Sequence, residues 1–336
     1  MSGRLVAFGE VMLRLSPPGR ELLLQTPKLD VWIAGAEANV ASALAQLGHD
    51  VRLVTALPET PLGDAALRAL RGFGVDVSGI RRAAGRMGLY FVETGAGIRP
   101  TEVYYDRAHS LFAETPAEHW DWDALLDGAD RLHLSGITPA LGPNGTRAAL
   151  RAADAATRLG VPISFDGNYR SRLWEMWNGK PAETLHRLVA QADILFGNHR
   201  DVALLLGRPF SGEGRERRRE AALAAFAAYP RLRLIASTAR RAESADQHHI
   251  SARIDTPGDA FETEEAPVPG IVDRIGTGDA FAAGVLHAAR RHLDIEAMAR
   301  LGRTLSLVKH AMPGDTLIID ESRLPQLEAG DRDARR

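Results

Sequence analysis

The chain predicts a three-layer α/β/α sandwich around a mainly parallel sheet, on three observations. Short apolar runs alternate with stretches of helical period along most of the sequence. The runs are continuously apolar rather than alternating, as strands covered by helices on both faces are. Polar, glycine-bearing segments follow several runs directly, at the C-terminal strand ends where such sheets bind ligands.

In chain order the pattern starts with a strand at Leu5 to Phe8, a helix near Glu37 to Leu47, a strand at Val51 to Thr55 and a helix near Leu62 to Phe73. After an interruption it resumes with a strand at Arg131 to Ser135 and a helix near Asn144 to Leu159. A strand at Ile163 to Asp166, a helix near Ala182 to Ala190, and strands at Ile194 to Phe196 and Leu232 to Ser237 follow. Two regions break the rhythm: about 13–33 and 88–107 carry strand signals with no helix between, and are expected to pair into a small sheet off the main body. No linker, repeat or low-complexity segment divides the 336 residues, so one domain is expected over 1–330, with 331–336 as a disordered tail.

Composition excludes several classes. A formal net charge of -2 gives no bulk reason to expect nucleic acid or an anionic membrane as partner. The charged run Arg215 to Glu220 is interrupted by acids and opens a helix, so it is expected to be a solvated face. With no cysteine there is no disulfide or thiolate metal site, which fits a reducing cytoplasm. No segment is long enough to span a membrane, and the strand at Leu5 begins too early for a signal peptide. Neither a G-x-x-x-x-G-K-[ST] loop, a G-x-S-x-G elbow nor an H-E-x-x-H zinc motif occurs.

The strongest chemical signal is Asp273 to Gly284, a glycine turn running into a small, apolar helix from about Asp279 to His292. The N–H groups of Gly276 and Gly278 join the unpaired donors of the helix's first turn, an arrangement that attracts an oxyanion. A carboxylate here repels such a ligand unless it has a task. Asp279 is either a helix N-cap or the group that accepts the proton of an attacking hydroxyl in phosphoryl transfer. A dinucleotide fingerprint fits worse, because Phe281 stands where its third glycine belongs.

Four further constellations bear chemistry. In Gly35 to Asn39, glycine lets a ligand approach the backbone, and Asn39 can donate to and accept from a hydroxyl, or simply start a helix. Along Val103 to Arg107 the period of two puts Tyr105 and Arg107 on one face. That face suits a ligand with hydroxyls and a carboxylate, with Tyr90 on the neighbouring strand, unless it is an ordinary exposed strand. The block Ser164 to Trp174 offers Arg170 as a second cation and Asn168 for a nucleotide phosphate, with Trp174 as packing and an Asp166–Arg172 ion pair as the structural alternative. Asn198 and Asp201 follow the strand ending at Phe196.

On the Asp273 to Gly284 run the chain resembles the ribokinase-like sugar kinases of the phosphofructokinase-B type, with Thr277 in place of the usual alanine. The resemblance implies Asp279 as catalytic base, with Gly276, Thr277 and Gly278 as anion hole and Asp273 on the substrate side. It implies a sugar contact from Gly35 and Asn39, although Ala34 replaces that motif's first glycine. Asn198 matches the first residue of the family's Asn-x-x-Glu motif, and Asp201, one methylene short of its glutamate, would meet magnesium through water. Thr238, Arg240 and the block Lys309 to Asp315, including His310, look like nucleotide-side segments. The likeness runs from Phe8-Gly9-Glu10 to Pro313-Gly314-Asp315 and is greatest to the branch acting on 2-keto-3-deoxygluconate, with Asp106 and Ala239 as departures. It implies a β lid over the sugar that also makes a dimer contact, ATP and Mg2+ as cofactors, and a monovalent cation as a further candidate. Arg107 and Arg170 favour a sugar acid, since a neutral sugar would leave two guanidiniums without a carboxylate partner. The alternatives are a kinase of a neutral sugar or nucleoside and a catalytically silent sugar-binding protein, which would have lost the base or the glycine turn.

Overall fold

A computed structural model describes residues 3–211 and 214–329; the tail expected at 331–336 lies outside them. In chain order its strands are β1 (Arg4–Phe8), β2 (Met12–Ser16), β3 (Asp30–Ala34), β4 (Val51–Pro58), β5 (Ile80–Ala83), β6 (Gly88–Glu93) and β7 (Glu102–Asp106). Then come β8 (Ala129–Ser135), β9 (Ile163–Asp166), β10 (Ile194–Phe196), β11 (Leu234–Ala242), β12 (Gln247–Asp255), β13 (Ala260–Glu262) and β14 (Ala266–Pro269).

The main sheet runs β13-β12-β11-β10-β9-β8-β1-β4-β5, with β14 beside β12. It is parallel from β11 to β5 and antiparallel at the β12 edge. The chain starts in the middle and builds outwards both ways from β1, which opens a crevice beyond the strands' C-terminal ends. Helices Ala36–Gln46, Pro61–Gly72, Thr277–Arg290 and Ile295–His310 pack on one face, and Pro143–Leu159, Pro181–Val189 and Gly214–Ala228 on the other. Gly284, which closes the glycine-turn motif, is a packing residue. A Cβ there would lie 2.8 Å from the Cα of Gly302, so the two C-terminal helices touch through backbone.

The two regions without helices do form a separate sheet, in the order β3-β2-β6-β7. Its inner face buries Met12, Ala34, Tyr90 and Val92, while Val31 and Tyr104 are exposed. One expectation is corrected. The run Arg215 to Glu220 is not simply a solvated face, because Arg218 and Arg219 reach down to Glu262 and Asp255 at the sheet edge.

Candidate active site

Two clefts meet beyond the strand ends. One, of about 360 Å³, lies under the small sheet and is lined by Tyr90, Tyr105, Arg107 and Asp279. The other, of about 420 Å³, opens towards the antiparallel edge and is lined by Asn198, Asp201 and Thr238. Asp166, Asn168, Arg170 and Gly278 line both and form the seam. Asn168 holds a left-handed backbone there, with φ 37°, a conformation asparagine tolerates better than most residues.

Gly276 is the N-cap of helix Thr277–Arg290, with φ 79° and no side chain capping the first turn. Only glycine fits, since a Cβ would lie 1.9 Å from the carbonyl oxygen of Asp315. Gly278 is different, because a Cβ there would meet nothing within 4 Å: the space over the helix start is open to a ligand. Asp279 is therefore not an N-cap. It stands in the helix's first turn with Oδ2 accepting from Nδ2 of Asn39 at 2.7 Å. Burial, opposed by the Asn39 bond and reinforced by the Asp315 and Glu37 charges, pushes its carboxyl up to about 7. A base with that affinity exchanges a proton readily near neutrality.

Tyr105 and Arg107 do share the lid cleft, but the arginine is not a free cation. Nε and Nη2 of Arg107 both donate to Oε2 of the buried Glu10, whose other oxygen accepts from Ser110 Oγ. The expectation of two unpaired guanidiniums is thus corrected to one. Arg170 makes only a 3.2 Å bond to its neighbour's carbonyl, from Tyr169, and faces the Asp166, Asp201 and Asp279 charges across the seam. Tyr90 stacks on Tyr105 at 5.6 Å between ring centroids and gives its hydroxyl proton to Asp315.

Four more expected residues are placed by their neighbours. Asp273 is off the cleft walls, with Oδ2 2.6 Å from Nη1 of Arg14 and both oxygens taking backbone N–H groups, from Ile275 and Gly314. It braces the glycine turn from behind, which corrects a direct substrate contact. His310 is buried with Nδ1 on the carbonyl of Ser306, and also lies off both walls. Asn198 and Asp201 form a capping box for helix His199–Leu206, Asn198 N–H donating to Asp201 Oδ2 at 2.7 Å. One Asp201 oxygen is thereby engaged. The Asp166–Arg172 pair does not form. Asp166 instead sits on the seam, its carboxyl raised to about 8 by burial and by the Asp279 and Asp201 charges.

Lys309, expected on the nucleotide side, is fully buried with Nζ on the carbonyl of Met312. The residues that sequence reasoning missed as braces are Arg14, which bridges Asp273 and Asp315, and Glu10. Their signal was a charged residue in an otherwise apolar strand, Arg14 in Met12–Ser16.

Fold and site together define an α/β phosphotransferase with a small sheet over one cleft, an uncapped helix start, a carboxyl raised to about 7 beside it, and a polar cleft next to both. More particularly, the chain belongs to the pfkB family of carbohydrate kinases, whose family model matches residues 2–318. A 2-dehydro-3-deoxygalactonokinase from Haloferax volcanii is 31% identical over 330 residues, covering 98% of each chain. The crystal structure of 2-dehydro-3-deoxygluconokinase from Thermotoga maritima superposes with a TM-score of 0.92 at 38% identity, covering 97% of this chain and 99% of that one. A crystal structure from Escherichia coli solved with ATP and Mg2+ shares the fold, with a TM-score of 0.82 at 18% identity over 98% of this chain and 100% of that one.

Proposed function

We propose that the chain transfers the terminal phosphoryl group of ATP to a hydroxyl of 2-keto-3-deoxygluconate, giving the 6-phosphate. The observation that carries this is Arg170, a guanidinium without an ion-pair partner among the described residues, lining the same cleft as Tyr105 and Arg107. A carboxylate on the acceptor supplies its missing partner. Asp279 accepts the hydroxyl proton, held in line by Asn39, and the first-turn N–H groups at Thr277, Gly278 and Asp279 take the phosphoryl oxygens. The residues present fit the cofactors: open space over Gly278 leaves room for phosphates, and Asp166 and Asp201, on the walls of one cleft, offer carboxylate oxygens that a hydrated magnesium ion would hold in their ionised form. Magnesium supplies charge neutralisation on the nucleotide phosphates.

The test is ADP formation with ATP and magnesium against 2-keto-3-deoxygluconate, 2-keto-3-deoxygalactonate, gluconate, fructose and ribose at matched concentrations. Preference for the 2-keto acids is expected, and preference for a neutral sugar would overturn the substrate. The galactonate epimer is a second reading, favoured by the name of the Haloferax relative. A monovalent cation is a further cofactor to test, by exchanging potassium for tetramethylammonium. Exposed Val31 and Tyr104 on the lid's outer face support a homodimer through the lid, measurable by light scattering. Use of ATP and the lack of cysteine support a cytoplasmic location. Among the described residues no helix is long and apolar enough to cross a membrane.

A further inference from the structure

The lid cleft holds two arginines that the transfer as described does not use. Arg240, on β11, expected on the nucleotide side from the resemblance, and Arg274, in the turn before Gly276, line that cleft and are absent from the walls of the cleft towards the antiparallel edge. Neither guanidinium has an ion-pair partner among the described residues. The nearby carboxylates are committed, Asp273 to Arg14, Asp315 to Arg14 and Tyr90, and Asp279 to Asn39. The two cations oppose each other, and burial together with Arg240 pulls Arg274 below the usual guanidinium range. The imidazole of His248, pushed down to about 4 by burial and then by Arg240, His310 and Arg274, reports the same positive field. Two cations on the walls of one cleft, beside an uncapped helix start, suit a doubly charged anion. The hydroxyl of Thr277 donates to the backbone carbonyl of Arg274 at 3.0 Å and fixes the turn that carries that arginine.

We propose that Arg240 and Arg274 form a phosphomonoester subsite on the acceptor side, which keeps hold of the phosphoryl group after it has moved. This rests on the kinase reading above. When the bond from the terminal phosphorus to ADP has broken, the bond to the acceptor oxygen has formed and the proton has gone to Asp279, the new phosphate lies in the cleft these arginines line. The enzyme therefore binds its phosphorylated product more tightly than the sugar acid it started from, and product release is a site of inhibition.

Calorimetry on the full chain without nucleotide tests this at low ionic strength, with inorganic phosphate, the sugar acid and its 6-phosphate as probes. The wild type should bind the 6-phosphate about 10- to 100-fold more tightly than the sugar acid. The double variant R240Q/R274Q should lose that ratio while keeping its affinity for the sugar acid and ADP. A ratio that survives in the double variant overturns the proposal, and so does a loss confined to ADP binding, which would assign the arginines to the nucleotide. Should the double variant fail to fold, Thr277→Ala is the second variant: its ratio should fall several-fold, and an unmoved ratio overturns the proposal. If the sugar acid does not bind the wild type at all, the substrate reading fails separately, and inorganic phosphate decides. Phosphate binding lost in R240Q/R274Q supports the subsite, and phosphate binding retained overturns it.

Discussion

Beneath the small sheet, the frame of the cleft is built from charges that already have partners, although Arg170, Arg240 and Arg274 on its walls have no ion-pair partner among the described residues: Arg107 pairs with Glu10, Arg14 with Asp273 and Asp315, Tyr90 with Asp315, Asn39 with Asp279. On the nucleotide side it is built from strand ends and a helix cap, with Asn198 and Asp201 serving the backbone and Thr238 and Gly278 on the wall. The contrast separates two kinds of recognition. A small, stereochemically defined acceptor needs side chains fixed before it arrives, which paired charges provide. A polyphosphate needs donors and space, which backbone N–H groups provide with little side-chain identity.

The largest expected effect lies where the two sides meet. Asp279→Asn keeps the shape and the Asn39 neighbour but removes proton acceptance, so kcat should fall by roughly 10²- to 10⁴-fold with ATP affinity preserved. Steady-state kinetics and a nucleotide titration check it, and near-normal turnover would move the base elsewhere.

Two of the four arginines on the lid cleft, Arg107 and Arg170, sharpen the comparison. Arg107→Ala strips the partner from Glu10, a carboxylate 4% exposed, so the fold should lose about 3–5 kcal/mol. Arg170→Ala breaks only a bond to a neighbouring carbonyl, so the melting curve should stay put while kcat/KM for the sugar acid drops roughly 10- to 100-fold. Thermal melts beside kinetics separate these outcomes. An Arg107→Ala protein that melts like the wild type would mean that the lid-side charges are not a preformed frame.

This division also explains what the sequence made legible. The apolar strands were found, two of them residue for residue, Ile163–Asp166 and Ile194–Phe196, because burial on both faces forces continuous hydrophobicity. Others run further than expected, Val51 to Thr55 reaching Pro58 and Leu232 to Ser237 becoming Leu234–Ala242. The glycine turn and Asp279 were legible because a backbone path and a misplaced carboxylate are local features. Strand β12 was not seen: Arg253 and Asp255 are buried in it through ion pairs with each other, with Glu262 on the neighbouring strand and with Arg219, and its pattern looks polar. Asp273 and Arg107 were legible as site residues but not in their roles, since their partners, Arg14 and Glu10, lie some 260 and 100 positions away. Spacing says nothing about such pairs.

The smallest expected effect concerns the carboxylates at and behind the seam, and it sets stability against activity. Burial raises Asp166 to about 8, Asp279 to about 7 and Glu37 to about 7, all above their unfolded values. A carboxyl raised in this way binds more protons folded than unfolded, so its contribution is fully present at low pH and is lost as pH rises through the folded value. Buried histidines act in the opposite sense, but only below about 6.5, where the unfolded imidazole takes its proton. From pH 7 to 8, therefore, the ligand-free protein should lose up to about 1 kcal/mol through Asp166. Asp166→Asn should flatten that slope, and magnesium with ATP should restore more stability at pH 8 than at pH 7. Activity runs the other way, because Asp279 must be unprotonated to accept a proton, and kcat/KM should decline as pH falls below about 7. A melting temperature that rises from pH 7 to 8 in the ligand-free wild type, or one unchanged in slope by Asp166→Asn, would show that these carboxylates are ionised in the resting cleft. The seam would then resemble the already charged lid side, and the distinction between the clefts would end at Gly278.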